Sequence, residues 1–176
     1  RRCRAAWSAP YTPGSDAQVL ERLPSRATDP AARELTKLRA RWRAAPRDPA
    51  VAVALARRLF EMAGEDGDPR HVGHAQAVMQ PWWNEASPPP AVRVVRATIL
   101  QYGHRFDDAL ADLQAAAQAE PDEPEAFAWM AAIGMVRADY AAARQACERL
   151  DQLAEVLVGT ACTAYVDAMT GRAAEA

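Results

Sequence analysis

The chain has 176 residues, half of them hydrophobic, which is enough to bury a continuous core. Its 23 acidic and 21 basic residues give a formal net charge of -2, so no overall positive field favours nucleic acid or an anionic membrane. No apolar run of about 18 residues occurs, which excludes a transmembrane helix.

Positions 1–28 are predicted to form an extended N-terminal arm, because Pro10, Pro13, Gly14 and Pro24 break regular structure. At most one short helix is expected there, over 16–23, and we expect the arm to lie along the helices that follow. The chain begins at Arg1 and not at methionine, so the segment expected to precede it would carry the information on compartment.

Asp-Pro steps at positions 29, 48 and 68 mark three helix starts. Aspartate accepts hydrogen bonds from the free N–H groups of a first helical turn, and proline at that turn loses no hydrogen bond. The steps predict helices over 30–45, 49–63 and 69–82, with a turn at 64–68.

The second half of the chain repeats itself at a fixed spacing. The same step along the sequence joins Pro90 to Pro124, Ala97 to Ala131, Phe106 to Tyr140, and Ala109 to Ala143. Small residues at matched positions let two antiparallel helices approach closely. The spacing predicts helices over 90–102, 106–119, 124–136 and 140–153, followed by another over 157–169 with Ala164 in the small position and Gly171 in the turn.

This pattern resembles the tetratricopeptide repeat (TPR) family, of bacterial type, with Pro121 closing the first clear unit. The resemblance implies an all-α, right-handed solenoid of helix-turn-helix units over 29–176, preceded by the arm at 1–28. The sequence departs from the family at Arg93 and Arg96, which occupy usually apolar positions, and at His104, which replaces a turn glycine. These departures predict a distorted second unit.

The resemblance further implies a non-catalytic scaffold without cofactor or metal, whose concave face binds a protein or peptide. By register, the predicted face positions are Arg57, Phe60, Glu61, Val94, Thr98, Gln101, Tyr102, Met135, Tyr165 and Met169. Ala128 and Ala132 share the face. Two alternatives stay open: a structural or exported accessory subunit whose arm occupies its own groove, and a face that is only solvated.

In the register of the repeats, Cys147 lies late on one helix and Cys162 midway along the next, so the two thiols can meet. A disulfide there would place the protein in the periplasm or outside the cell. The alternative is two buried, reduced thiols in the cytoplasm. Cys3 has no identified partner.

Candidates for chemistry each have a structural interpretation. His71 and His74, three residues apart beside Glu65, Asp66 and Asp68, would suit a metal carrier or enzyme, but the carboxylates are better explained as helix caps. Capping also accounts for Glu120, Asp122, Glu123 and Glu125. Trp82 and Trp83 either stack on a ligand or seal the gap between units, and sealing is favoured. No phosphate-binding glycine loop or nucleophile elbow occurs, so an enzyme is not predicted.

Overall fold

The computed structural model describes residues 12–15, 17–20 and 29–172. The chain divides into two units, Arg1–Glu34 and Leu35–Ala176. In the first unit, residues 17–20 are not helical, and the side-chain oxygen of Gln18 accepts a hydrogen bond from the Gly14 amide at 2.8 Å. The remainder of the predicted arm, including Cys3 and positions 16 and 21–23 of its short helix, lies outside the described residues.

Residues 29–172 form helices joined by short turns, and no strand occurs in this range, so the all-α prediction is confirmed. The elements are α1 (Pro30–Ala44), α2 (Pro49–Asp66), α3 (Arg70–Val78), a 3-10 turn (Gln80–Trp82), α4 (Pro90–Tyr102), α5 (Phe106–Ala119), α6 (Pro124–Val136), α7 (Tyr140–Leu153) and α8 (Val156–Met169).

The Asp-Pro steps begin helices as the sequence predicts. Asp48 accepts hydrogen bonds from the amides of Ala50 and Val51 at 2.9 and 3.3 Å, and Asp29 accepts one from Ala31 at 3.0 Å. Asp68 accepts a hydrogen bond from the Arg70 amide at 3.0 Å, but it lies one residue before the N-cap of α3, which is Pro69. Helix α3 begins one residue later than predicted, at Arg70, and ends at Val78, before the 3-10 turn.

The predicted turn at 64–68 is shorter than expected. Helix α2 continues through Asp66 and ends at Gly67, whose φ of 67° is left-handed. Because glycine adopts this conformation without the clash that a Cβ brings, the chain reverses at Gly67 and not at Gly64. The prediction that 64–66 form part of the turn was therefore wrong.

The two central hairpins match each other closely. Helices α4 and α6 begin at the matched prolines Pro90 and Pro124 and have 13 residues each, and α5 and α7 have 14 residues each. The amide of Arg105 donates to the Leu100 carbonyl at 3.0 Å, and at the equivalent place in the second hairpin the amide of Asp139 donates to the Gly134 carbonyl at 2.8 Å. This is the hydrogen bond of a Schellman helix end.

The residue that turns the chain in each hairpin is not glycine. His104 and Ala138 have left-handed φ angles of 58° and 57°. The turn hydrogen bonds are the same in both hairpins, so the distortion expected from His104 is absent there. Its imidazole instead makes an edge contact with the Phe106 ring, with centroids 5.6 Å apart.

Helices adjacent in the chain pack against each other as α2/α3, α4/α5, α5/α6, α6/α7 and α7/α8, while α4 also lies against α2 and α6. The predicted small positions Ala97, Ala109, Ala131 and Ala143 are all buried. A Cβ on Gly134 would lie 3.0 Å from that of Ala143, which shows how closely α6 and α7 approach.

The two adjacent tryptophans seal the junction between core clusters. Trp82 is 8% exposed and belongs to the cluster formed by α1 to α4, and Trp83 packs against both this cluster and the next one. The predicted sealing role is thereby confirmed. Their position explains why the connector at 83–89, with prolines at 88 and 89, does not separate two independent cores.

Candidate interaction face

An aromatic cluster joins helices α2, α4 and α6. The Phe60 ring meets the Tyr102 ring edge-on with centroids 6.0 Å apart, and the Trp129 ring in the same geometry at 6.2 Å. Such edge contacts stabilise beyond the area that they bury. Phe60 and Trp129 come from α2 and α6, so the side chains of these two helices meet directly across α4.

An ion pair makes the same connection. The Arg57 guanidinium on α2 donates to the Glu125 carboxylate on α6, although the residues are 68 positions apart in the chain. Burial raises the pKa of Glu125 above its usual range, with Glu123 adding to the rise, while Arg57 and a hydrogen bond with Trp129 oppose it. The interpretation of Glu125 as a solvated cap was wrong, since this carboxylate is partly buried and paired.

Burial differs among the predicted face positions. Val94 and Thr98 are buried, at 3% and 7% exposure, and the Thr98 hydroxyl donates to the Val94 carbonyl at 3.0 Å. Neither side chain is open to a partner, contrary to the position that the repeat register gave them. Glu61, Tyr102, Tyr165 and Met169 are exposed, whereas Arg57, Phe60, Gln101 and Met135 are partly buried.

Large apolar side chains are exposed in register at the ends of α4, α6 and α8. Tyr102, Val136 and Met169 are 48%, 68% and 51% exposed, and they follow one another at nearly equal steps along the chain. We call these three residues the exposed row. Tyr165 lies one helical turn before Met169 and is 58% exposed. Val136 was missed from the sequence, although its spacing from Tyr102 was sufficient to find it.

No family model, curated protein or solved structure matches the chain. Among the described residues no helix has the length and apolar character needed to cross a membrane.

Cys147 and Cys162 are bonded as a disulfide between α7 and α8, with their Cα atoms 5.5 Å apart. Cys147 is fully buried and Cys162 is partly buried. The bond corresponds to the first of the two alternatives considered for these cysteines. It attaches α8, which carries Tyr165 and Met169, covalently to the hairpin before it.

The carboxylates near His71 and His74 pair mainly with arginines. Arg58 binds Glu65, with Nη1–Oε1 and Nη2–Oε2 distances of 2.9 and 3.1 Å, and this pairing lowers the pKa of Glu65. Arg70 lowers the pKa of Asp68 to about 2.

The histidines themselves form a looser arrangement. His71 Nε2 lies 3.4 Å from Asp66, and the two imidazole centroids are 6.2 Å apart. Across 12–15, 17–20 and 29–172 no three His, Cys, Asp or Glu side chains are grouped as a metal site would require.

Arg93 and Arg96, which depart from the repeat pattern, both bind the buried carboxylate of Asp112 on α5. Arg96 Nη1 also donates to the backbone carbonyls of Trp82, Trp83 and Glu85 at 2.9 to 3.0 Å. The guanidinium thus attaches the connector after α3 to the α4/α5 hairpin. Asp112 was not singled out from the sequence.

Proposed function

We propose that this chain is a non-catalytic, TPR-like interaction module that binds an extended segment of another protein along the exposed row. The observation that carries the proposal is the row itself. Tyr102, Val136 and Met169 each end a helix, at α4, α6 and α8, and each is about half exposed or more. Exposed apolar groups that recur at equivalent positions of successive units are typical of surfaces that bind a partner.

The matched hairpins support the TPR-like part of the proposal. Helix lengths, left-handed turn residues and turn hydrogen bonds all recur at equivalent positions of the two units. A repeating unit places equivalent residues of successive first helices side by side, which makes a row of equivalent side chains a natural binding surface.

The spacing of the row suggests the form of its ligand. Helix α4 contacts α6, and packed helices generally have axes about 8 to 10 Å apart. An extended chain advances about 3.3 Å per residue, so neighbouring row positions would receive side chains about three residues apart in the ligand. We therefore propose an extended segment with an apolar residue at about every third position.

The occupied end of the same face limits where this segment binds. The part of the face between α2 and α6 is already filled by Phe60, Trp129 and the Arg57–Glu125 pair. A ligand there would have to displace these contacts, whereas the ends of α6 and α8 are open. Binding is therefore expected to depend on Val136 and Met169 more than on Arg57.

The experiment is a selection of random peptides on the immobilised full chain, followed by calorimetry with the best binders. Val136→Glu and Met169→Glu are expected to weaken binding at least tenfold, because a carboxylate would have to be buried beside apolar groups. Gln145→Glu, an exposed substitution on α7 that adds the same charge, is the matched control and should leave affinity unchanged.

Equal affinities for wild type and Val136→Glu would overturn the proposal. Tighter binding by a chain that lacks residues 1–28 would favour the alternative of an accessory subunit whose arm occupies its own groove.

A further inference from the structure

A cavity of about 240 Å³ lies among helices α1, α2 and α3, and its residues are separate from the interaction face. Its lining consists of Arg39, Trp42, Arg43, Leu55, Leu59, His74, Ala77 and Val78. Leu55, Leu59 and Val78 belong to the buried core, so the inner wall is apolar. Arg43 and His74 are exposed and mark the side that is open to solvent.

The α1 side of the cavity carries an unbalanced positive charge. Residues 35–47 contain Lys37, Arg39, Arg41, Arg43 and Arg47 and no acidic residue. This local excess contrasts with the near balance of charge over the whole chain.

The two cavity arginines also lack anionic partners. Within the part of the chain that the structure describes, neither Arg39 nor Arg43 forms an ion pair, whereas Arg57, Arg58 and Arg96 all do. Two guanidinium groups that are free of protein carboxylates and lie beside an apolar cavity suit an anionic group that arrives with an apolar body.

Trp42 adds a polar group without an acceptor. Its indole Nε1–H is buried and has no hydrogen-bond partner among the described residues. A buried donor without an acceptor costs stability, and such groups in folded proteins call for an explanation. Trp42 itself lines the cavity.

We propose that this cavity binds a small amphiphilic carboxylate, with its hydrocarbon part against Leu55, Leu59 and Val78 and its carboxylate between Arg39 and Arg43. The apolar wall together with the two arginines favours this class of ligand. An inorganic anion would leave the apolar wall unfilled, and a neutral hydrocarbon would leave the arginines unpaired. This site is independent of the exposed row, and its ligand need not affect the proposed peptide.

The test is a calorimetric titration of the full chain with hexanoate, octanoate and decanoate, each below its micellar concentration. Saturable binding should strengthen with chain length, because each added methylene buries apolar area. Octanol should bind at least tenfold more weakly than octanoate, and octylamine should not bind measurably.

Substitutions locate the site. Arg39→Glu and Arg43→Glu should each weaken octanoate at least tenfold, and Ala77→Phe should abolish binding by filling the cavity. Arg41→Glu changes an exposed arginine of the same helix that does not line the cavity, and it should have little effect. Thermal unfolding of each variant establishes that it is folded.

Three results would overturn the proposal: no saturable binding of any of these acids, equal binding of octanol and octanoate, or an equal loss in Arg41→Glu and Arg39→Glu. The last result would show that binding depends on the overall charge of α1 and not on the arginines that line the cavity. None of them bears on the peptide selection, so the two proposals fail separately.

Discussion

Arg96 and Asp112 join α4 to α5 through two parallel hydrogen bonds, Nε to Oδ2 and Nη2 to Oδ1, each 2.6 Å long. Both residues are nearly excluded from solvent, at 9% and 5% exposure. Two planar groups that match at two points define a single relative position for the helices that carry them. The pair therefore fixes the hairpin that begins the regular repeats.

Removing Asp112 is expected to leave two arginines without their carboxylate, and removing Arg96 leaves Asp112 paired with Arg93 alone and three backbone carbonyls without their donor. Arg96→Met or Asp112→Leu should each lower the free energy of unfolding by about 3 to 5 kcal/mol, measured by urea denaturation. The double variant Arg96→Met/Asp112→Leu should lose much less than the sum of the two. Additive losses would contradict the direct pairing.

The exposed pair Arg105–Asp108 provides the control for this cycle, because both of its side chains are more than half exposed. Arg105→Met should cost at most about 1 kcal/mol. A loss as large as that of Arg96→Met would show that burial is not the deciding factor.

Close approach of α7 and α8 depends on Gly159. A Cβ at this position would clash with the Cα of Asp151, so backbone would have to move. Gly159→Ala should lower the free energy of unfolding by about 1 to 3 kcal/mol, measured by urea denaturation.

Gly73, on the exposed side of α3, provides the control, because nothing lies within 4 Å of its Cβ position. Gly73→Ala should raise the free energy of unfolding by roughly 0.5 to 1 kcal/mol. Stabilisation by both substitutions would contradict the packing of α8.

The disulfide closes a short loop, since Cys147 and Cys162 are 15 residues apart. Reduction should lower the free energy of unfolding by about 3 kcal/mol, because the unfolded chain regains conformational freedom. Urea denaturation with and without reductant measures this loss, and Cys147→Ala/Cys162→Ala is the control that should not respond. Alkylation of both thiols in native, unreduced protein would contradict the bond.

Glu125 should make stability depend on pH in a defined direction. Burial raises its pKa in the folded protein, so the folded state binds the proton more tightly than the unfolded state does. The contribution of this group to the free energy of unfolding should thus increase as pH falls through the folded pKa, and level off below the unfolded value of about 4.3. Urea denaturation at a series of pH values measures the slope, which Glu125→Gln should remove. An unchanged slope would contradict this assignment.

Asp167 should make the free energy of unfolding depend on pH in the opposite direction. Hydrogen bonds from Arg144 and Arg172 hold its pKa below the usual range. Its contribution is complete above the unfolded pKa of about 3.9 and is lost as pH falls through the folded pKa. Asp167→Asn should reduce the loss in the free energy of unfolding at acid pH. It should leave unchanged the pH dependence that Glu125 contributes.

Local signals account for the parts of the fold that the sequence predicted well. Asp48 followed by Pro49 begins a helix through its own hydrogen bonds, and matched small residues such as Ala109 and Ala143 mark close helix contacts wherever they recur. These properties depend on near neighbours. The predicted bounds of α4 to α7 accordingly coincide with the observed ones.

Contacts between distant residues account for most of the differences. Glu125 follows a proline and has the local pattern of a helix cap, but its partner is Arg57, two units earlier in the chain. Val94 and Thr98 occupy face positions in the register, yet α2 and α6 meet over α4 and both residues are buried. These contacts depend on how closely α2 and α6 approach each other, which the repeat spacing does not specify.

Amide NMR spectra of the isotope-labelled chain, recorded with and without a selected peptide, test the exposed row most directly. We expect chemical-shift changes to concentrate at Tyr102, Val136 and Met169 and at their neighbours on α4, α6 and α8. Changes confined to α5 and α7, or to the cavity among α1 to α3, would contradict binding along the row.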